Sequence, residues 1–245
     1  MQPLSDEFLA QCPVEDNFRM RGVEMTRIEV FVDAAFAFAV TMLVISIDQI
    51  PSSVPELLDI SKLIPGFVLS VMQIIFIWHA HNKWSRKFGL DDGITVLLSA
   101  TLVVVVLIFI YPLKMMFQGL FSWLTDGYLP SEFSLQTFDE LRWLFQYFAA
   151  GFFMIGFIFM GFYAHAIRRK APLKLSAEET FSAKTELFMR LDIMLVCVLA
   201  FLLPGWVADE HVPYTGFTYA LLGPTSFLIY HWRDKKWQQL KSDTP

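Results

Sequence analysis

Charged residues are scarce in this sequence of 245 residues. Only 18% of the residues are charged, whereas 55% are hydrophobic, and the mean hydropathy is +0.48. Soluble globular domains carry about 25% charged residues, so the composition excludes an ordinary soluble domain. The formal net charge of −5 lacks the basic excess that is typical of nucleic-acid-binding proteins.

Cysteines and catalytic signatures are also scarce. Cys12 lies in the N-terminal tail and Cys197 lies inside an apolar run, so a disulfide between them would have to form across the membrane interface. We therefore expect two reduced thiols. The patterns G-x-S-x-G, H-E-x-x-H and the P-loop are absent, and the cysteines do not form a metal-binding pair. These absences favour a protein that is not an enzyme and has no cofactor or resident metal.

Long apolar runs are the dominant feature of the sequence. Residues 93–111 and 143–164 form uncharged runs of 19 and 22 residues, and about 20 apolar residues cross the hydrocarbon core of a bilayer. The pattern predicts an all-α polytopic membrane protein with a single domain, residues 1–245, and six transmembrane helices. The predicted spans are residues 27–48, 63–84, 93–112, 143–165, 191–208 and 212–231, with tails at 1–26 and 232–245.

The basic residues are distributed unevenly between the two sides of the predicted bundle. Of the 19 Lys and Arg residues, 16 lie on the side of the termini, and only Lys62, Lys114 and Arg142 lie on the other. The positive-inside rule places the richer side in the cytoplasm. We therefore predict an integral membrane protein with both termini in the cytoplasm, which agrees with the even number of predicted spans.

The first span contains two acids, Glu29 and Asp33. A carboxylate within a span is costly unless it is paired or faces water, so Asp33 indicates a functional site by default. Arg27 lies six residues earlier, and its long side chain can reach toward Asp33 or toward the lipid headgroups. A structural role remains an equal alternative, in which Asp33 is a buried polar group that holds helices together.

Helical periodicity divides the first span into two faces. One face is a mixed stripe of small, polar and apolar residues, namely Ala34, Phe38, Thr41, Met42 and Ile45. The opposite face is bulkier and contains Phe36, Val40, Leu43 and Ile47. Such a helix suits a position between protein neighbours and a pore axis, although periodicity alone does not distinguish pore lining from core packing.

Three short motifs resemble those of the transmembrane protein 175 family, the lysosomal and prokaryotic potassium channels. Residues 27–33 (RIEVFVD) resemble the family signature R-x-x-x-F-S-D, and residues 78–84 (WHAHNKW) resemble its W-x-x-H-[HN]-x-[FW] pattern. Residues 111–114 (YPLK) are similar to the exit of the family's third span. The resemblance covers the first three spans, whereas the last three agree only in number and length.

This resemblance implies a channel in which the first helix of each copy lines a central pore. The chain contains a single six-helix repeat and in this respect resembles the prokaryotic form of the family. The resemblance implies a homotetramer in a plasma membrane, so that the partners of each chain are the lipid bilayer and its own copies. The implied pore-lining positions are Phe38, Met42 and Ile45 at an apolar constriction and Thr41 for potassium selectivity. The implied polar network that fixes the first helix consists of Arg27, Phe31, Asp33, His81 and Asn82.

Two residues depart from the family pattern. Val32 replaces the serine of the signature, and Phe38 is larger than the isoleucine or leucine usual at the first constriction. A ring of phenylalanines can seal a pore or gate it by dewetting. The sequence lacks a carbonyl filter such as T-V-G-Y-G, so selectivity would come from the cost of dehydrating the ion.

The sequence therefore predicts a potassium-permeable channel and leaves alternatives open. One is a closed or non-conducting relative of such channels. Another is a proton- or cation-coupled transporter with Asp33 as the relay. A third is an intramembrane enzyme that combines Asp33, His79 or His81, and Asp192 in an acid-base site.

Overall fold

The computed structural model describes residues 3–45 and 50–242, which form a bundle of long apolar helices behind a short N-terminal segment. The helices are α1 Asp6–Gln11, α2 Arg27–Ile45, α3 Val54–Ser61, α4 Ile64–Phe88, α5 Gly93–Leu124, α6 Phe138–Arg168, α7 Ala177–Leu202 and α8 Leu222–Ser242. Short 3-10 segments occupy Leu203–Gly205 and Asp209–Leu221. The strands β1 Val14–Glu15 and β2 Phe18–Arg19 form an antiparallel hairpin.

Within the described residues, five helices are long and apolar enough to cross a membrane. They are α2, α4, α5, α6 and α7, the last together with the 3-10 turn that follows it. These five overlap the first five predicted spans, whereas the sixth, residues 212–231, begins as a 3-10 helix and continues as α8. The end of the first predicted span, residues 46–48 with Ile47, lies outside the described residues. The limits of the individual spans stay a prediction.

Two helices are longer than the apolar runs from which they were predicted. Helix α5 continues through Pro112 to Leu124, although the proline removes one backbone donor. Membrane helices tolerate this loss because neighbouring groups satisfy the freed carbonyl. Helix α7 begins at Ala177, where Ser176 and Glu179 form a reciprocal capping box, so it extends well before its apolar run.

Residues 3–26, here called the N-terminal strap, lie against one end of the bundle. The guanidinium of Arg21 donates hydrogen bonds to both carboxylate oxygens of Glu179, at 2.7 and 2.9 Å, and to the carbonyl of Leu173 at 2.9 Å. Both charged side chains are at least 95% buried, and removing one partner of such a pair costs about 3–5 kcal/mol. The strap therefore ties the start of α2 to the start of α7.

The strap also approaches the end of α4 closely. The amide of Gly22 donates to the carbonyl of Arg86 at 3.0 Å, and a Cβ atom at Gly22 would lie only 2.5 Å from the carbonyl oxygen of Ser85. Gly89 ends α4 in the left-handed conformation, with φ of 56°, and faces the strap. Glycine is needed at both positions because a side chain would separate the two backbones.

The turn between α4 and α5 is fixed by Asp92. Its carboxylate caps α5 by accepting from the Thr95 amide at 3.1 Å, and it also contacts His165 at 2.9 Å and Arg169 at 3.3 Å. Partial burial raises the pKa of the Asp92 carboxyl, but hydrogen bonds from Thr95 and His165 outweigh it and hold the pKa below its usual value. The ionised carboxylate thus joins this turn to the end of α6.

We predict that Gly151→Ala destabilises the protein. A Cβ atom at Gly151 would overlap the ring of Phe109, which stacks on Tyr147 with centroids 5.4 Å apart. Overpacking of this kind costs about 1–3 kcal/mol. Gly119→Ala is the matched control, because nothing lies within 4 Å of its Cβ position and alanine favours a helix. Thermal unfolding in detergent should give a lower midpoint only for Gly151→Ala, and an unchanged midpoint would contradict the close packing of α5 on α6.

Candidate functional site

Helix α2 begins with a reciprocal cap that uses one of its two acids. The carboxylate of Glu29 accepts from the Thr26 amide at 2.6 Å, and the Thr26 hydroxyl accepts from the Glu29 amide at 3.3 Å. Glu29 is only 7% exposed. This T-x-x-E pattern is a capping box, so Glu29 serves the backbone at the helix start.

One face of α2 is buried against α4 and α5. Its residues recur at helical spacing and are nearly inaccessible, namely Val32, Phe36, Ala39 and Leu43. Phe36 and Leu43 belong to the bulkier stripe identified in the sequence, and Val40 from that stripe is half-buried against the same core. The bulkier stripe of α2 is therefore its packing face.

The opposite face of α2 is open to the surroundings in the part of the chain that the structure describes. Phe38 is 56% exposed and Ile45 is 63% exposed, and Ala34 and Thr41 are also exposed. The Thr41 hydroxyl donates to the Ala37 carbonyl at 2.9 Å, which leaves its oxygen able to accept from water or to contact an ion. An apolar surface with one hydroxyl thus runs along the helix.

Met42 lies at the edge of this exposed face rather than at its centre. Its side chain is half-buried and packs against the core. Of the four candidate pore-lining residues, Phe38, Thr41 and Ile45 therefore share the open surface, and Met42 borders it.

Asp33 is hydrogen-bonded across the bundle to the second motif. The indole Nε1 of Trp78 in α4 donates to Asp33 Oδ1 at 2.7 Å. Asp33 lies next to Val32, which is buried in the bundle. The hydrogen bond to Trp78 and the packing of Val32 therefore both hold α2 in the same rotation about its own axis. The partner of Asp33 is thus Trp78, whereas the sequence suggested Arg27.

The other residues of the predicted polar network are placed separately. His81 is 2% exposed and its Nε2 lies 3.1 Å from the Ser99 hydroxyl of α5. Arg27 and Phe31 are exposed, and Asn82 is half-buried. Among the described residues, the side chains of Arg27 and Asn82 have no hydrogen-bond or ion-pair partner. The network of five residues stays a prediction.

The residues of the alternative acid-base site do not converge in the part of the chain that the structure describes. Asp192 in α7 accepts from the Thr225 hydroxyl at 2.9 Å and from the Ser226 hydroxyl at 3.1 Å, which joins it to α8. No hydrogen bond links it to Asp33 or His81. Across residues 3–45 and 50–242, no group of three His, Cys, Asp or Glu side chains is placed to hold a metal ion, and both cysteines are free thiols.

Three contacts on or near α2 were not predicted from the sequence. The cap of Thr26 on Glu29 had a visible signal, because threonine followed three residues later by glutamate is a capping box. The bonds from Trp78 to Asp33 and from His81 to Ser99 join residues 45 and 18 positions apart. Nothing in one sequence identifies such long-range partners.

Comparisons with known proteins agree with this architecture. A model of the family described as the endosomal/lysosomal potassium channel TMEM175 matches residues 27–112, which include α2 to α4 and most of α5. A protein from Marivirga tractuosa, described as a potassium channel, is 31% identical over 237 residues, covering 93% of this chain and 95% of that protein.

The fold is also similar to a solved structure. A crystal structure of a variant of the potassium channel MtTMEM175, in complex with a nanobody–MBP fusion protein, superposes with a TM-score of 0.79 and 29% identity. The match covers 91% of this chain and 99% of that chain.

The matches to the relative and to the solved structure extend across nearly the whole chain, beyond the three motifs that first suggested the relationship. They confirm the predicted family, the all-α polytopic membrane fold and the expectation of a channel rather than an enzyme. The chain belongs to the TMEM175 family of potassium channels.

Proposed function

We propose that this chain forms a homotetrameric, potassium-permeable channel in which the exposed face of α2 from each copy lines a central pore. One observation carries the proposal: α2 buries one face in its own bundle, whereas the opposite apolar face is left open by the described residues, with Phe38 and Ile45 more than half exposed. In a membrane, such a face requires lipid or other copies of the chain. Four copies around an axis would bring these faces together.

The constriction of this pore would be formed by Phe38, Met42 and Ile45. Phe38 and Ile45 lie two helical turns apart on the open face, and half-buried Met42 narrows its edge. Large apolar rings exclude water from a narrow pore, so ions must shed part of their hydration to pass. Phe38 is the bulkiest of these residues and sets the narrowest ring.

Selectivity in this proposal arises from dehydration at the constriction. Potassium is larger than sodium and gives up its hydration shell at lower cost, which favours potassium without a carbonyl filter. The Thr41 hydroxyl, which lies between Phe38 and Ile45 on the same face, would replace part of the lost hydration. The bond from Trp78 to Asp33 would keep this hydroxyl turned toward the axis.

The distribution of basic residues supports an orientation with both termini in the cytoplasm. The N-terminal strap and the turn at Asp92 would then lie on the cytoplasmic side of a plasma membrane. The opposite end, with the loop between α5 and α6, would face outward.

Potassium flux into liposomes that contain the purified protein tests the function. We expect flux above that of empty vesicles, reaching a large share of the maximum set by valinomycin and exceeding the flux of sodium. An absence of flux from a folded tetramer would contradict the proposal and favour a closed or non-conducting relative. Equal sodium and potassium fluxes would contradict the dehydration mechanism.

Replacing Phe38 by alanine tests the constriction. We expect Phe38→Ala to raise the potassium flux severalfold and to reduce the preference over sodium, because a smaller side chain lowers the free-energy barrier to ion passage. A barrier lower by about 1.4 kcal/mol raises the rate about tenfold. Phe157→Ala is the matched control, since Phe157 is 52% exposed on α6, away from the proposed pore. Potassium flux should rise in Phe38→Ala and stay unchanged in Phe157→Ala. An unchanged flux in Phe38→Ala would contradict the role of this residue in the constriction.

A further inference from the structure

Two adjoining cavities lie at the end of the bundle that carries the loop between α5 and α6. Their volumes are about 360 and 530 Å³. Both are lined by Met115, Phe133 and Leu144, so they adjoin and are together called the loop-side groove. The lining comes from α5, α6, the loop between them and the end of α7.

The two ends of the loop-side groove differ in chemistry. The smaller cavity has a mixed lining, in which the polar residues Ser122, Asp126 and Ser131 lie beside apolar ones. The larger one is mainly apolar and aromatic, and is lined by Trp143, Tyr147 and Phe201 among others. A ligand that fills both must therefore be amphiphilic, with a polar head beside the loop and an apolar tail between the helices.

The surrounding aromatic residues place the groove at the level of the membrane surface. Five tryptophans and tyrosines are exposed near this end of the bundle, namely Trp123, Tyr128, Trp143, Trp206 and Tyr214. These residue types collect at the boundary between hydrocarbon and water. The polar end of the groove thus faces the headgroup region, and the apolar end faces the acyl chains.

The charges around the groove select among headgroups. Asp126 and Glu140 are the carboxylates in its lining, and Asp126 has no ion-pair partner among the described residues. The cations at this end of the bundle are already paired, since Lys62 pairs with Asp59 at 2.9 Å, Lys114 with Glu132 at 2.6 Å and Arg142 with Asp209 at 2.7 Å. The groove therefore complements an ammonium group and offers no free cation to an anionic headgroup.

We propose that the loop-side groove binds phosphatidylethanolamine, because its primary ammonium can donate hydrogen bonds to a carboxylate, which the quaternary ammonium of phosphatidylcholine cannot do. Its ammonium group lies beside Asp126, and one acyl chain runs along Leu144 and Trp143 toward Phe201. This site does not depend on the proposed pore, because it uses α5, α6 and the end of α7 rather than the open face of α2.

Photocrosslinking in vesicles tests this proposal. The full-length protein is reconstituted in phosphatidylcholine containing a small fraction of phosphatidylethanolamine with a diazirine in its acyl chain, illuminated, digested and mapped by mass spectrometry. We expect labelling concentrated on the peptides of Met115 and Leu144, and a severalfold loss of this labelling when unlabelled phosphatidylethanolamine is added. The same amount of phosphatidylglycerol should compete much less.

Two variants and a matched control sharpen the test. Leu144→Trp fills the groove and should reduce its labelling severalfold, whereas Leu195→Trp, on an exposed part of α7 outside the groove, should leave it unchanged. Asp126→Asn should abolish the preference for phosphatidylethanolamine over phosphatidylglycerol as competitor. Elution volume in size-exclusion chromatography establishes that each variant is folded.

Four results would overturn the proposal. Even labelling of all lipid-facing helices would indicate annular lipid only, and absence of labelling in the groove would indicate a face covered by protein. Equal competition by phosphatidylglycerol, or an undiminished preference in Asp126→Asn, would refute the assignment of the headgroup.

Discussion

The rotation of α2 about its own axis is the constraint on which the rest of the structure depends. Val32, Phe36, Ala39 and Leu43 bury one face against α4 and α5, and the 2.7 Å bond from Trp78 to Asp33 adds a directional contact on the adjoining side. A helix held in this way cannot turn without breaking this bond and exposing the buried face. The same contacts determine which residues face away from the bundle.

Polar contacts at the ends of the bundle anchor the start of α2 and the helices against which it packs. The N-terminal strap, anchored by the buried pair of Arg21 and Glu179, joins the start of α2 to α7, while Asp92 joins the α4–α5 turn to α6. At the other end, Lys114 and Glu132 hold the following loop on α5. Apolar contacts gain little over lipid inside a membrane, so such polar contacts contribute much of the specificity of the arrangement.

The fold was largely predictable because the apolar runs are long, and the packing face of α2 follows from periodicity at Phe36 and Leu43. Helix ends were less predictable: α5 continues past Pro112 because a bundle tolerates the proline, and α7 begins at its capping box, outside its apolar run. Pairings distant in sequence had no local signal. Arg21, for example, belongs to none of the recognised motifs, and its partner Glu179 lies 158 residues away.

Thiol accessibility along α2 tests most directly whether its open face lines the ion path. Because Cys12 and Cys197 are buried, they are first replaced by serine and alanine, and single cysteines are then introduced at Ala34, which is exposed, and Ala39, which is fully buried. A cationic methanethiosulfonate reagent should block potassium flux in Ala34→Cys and have no effect in Ala39→Cys or in Phe157→Cys, on the outside of α6. Modification of Ala34→Cys, verified by mass, with no loss of flux would contradict the account.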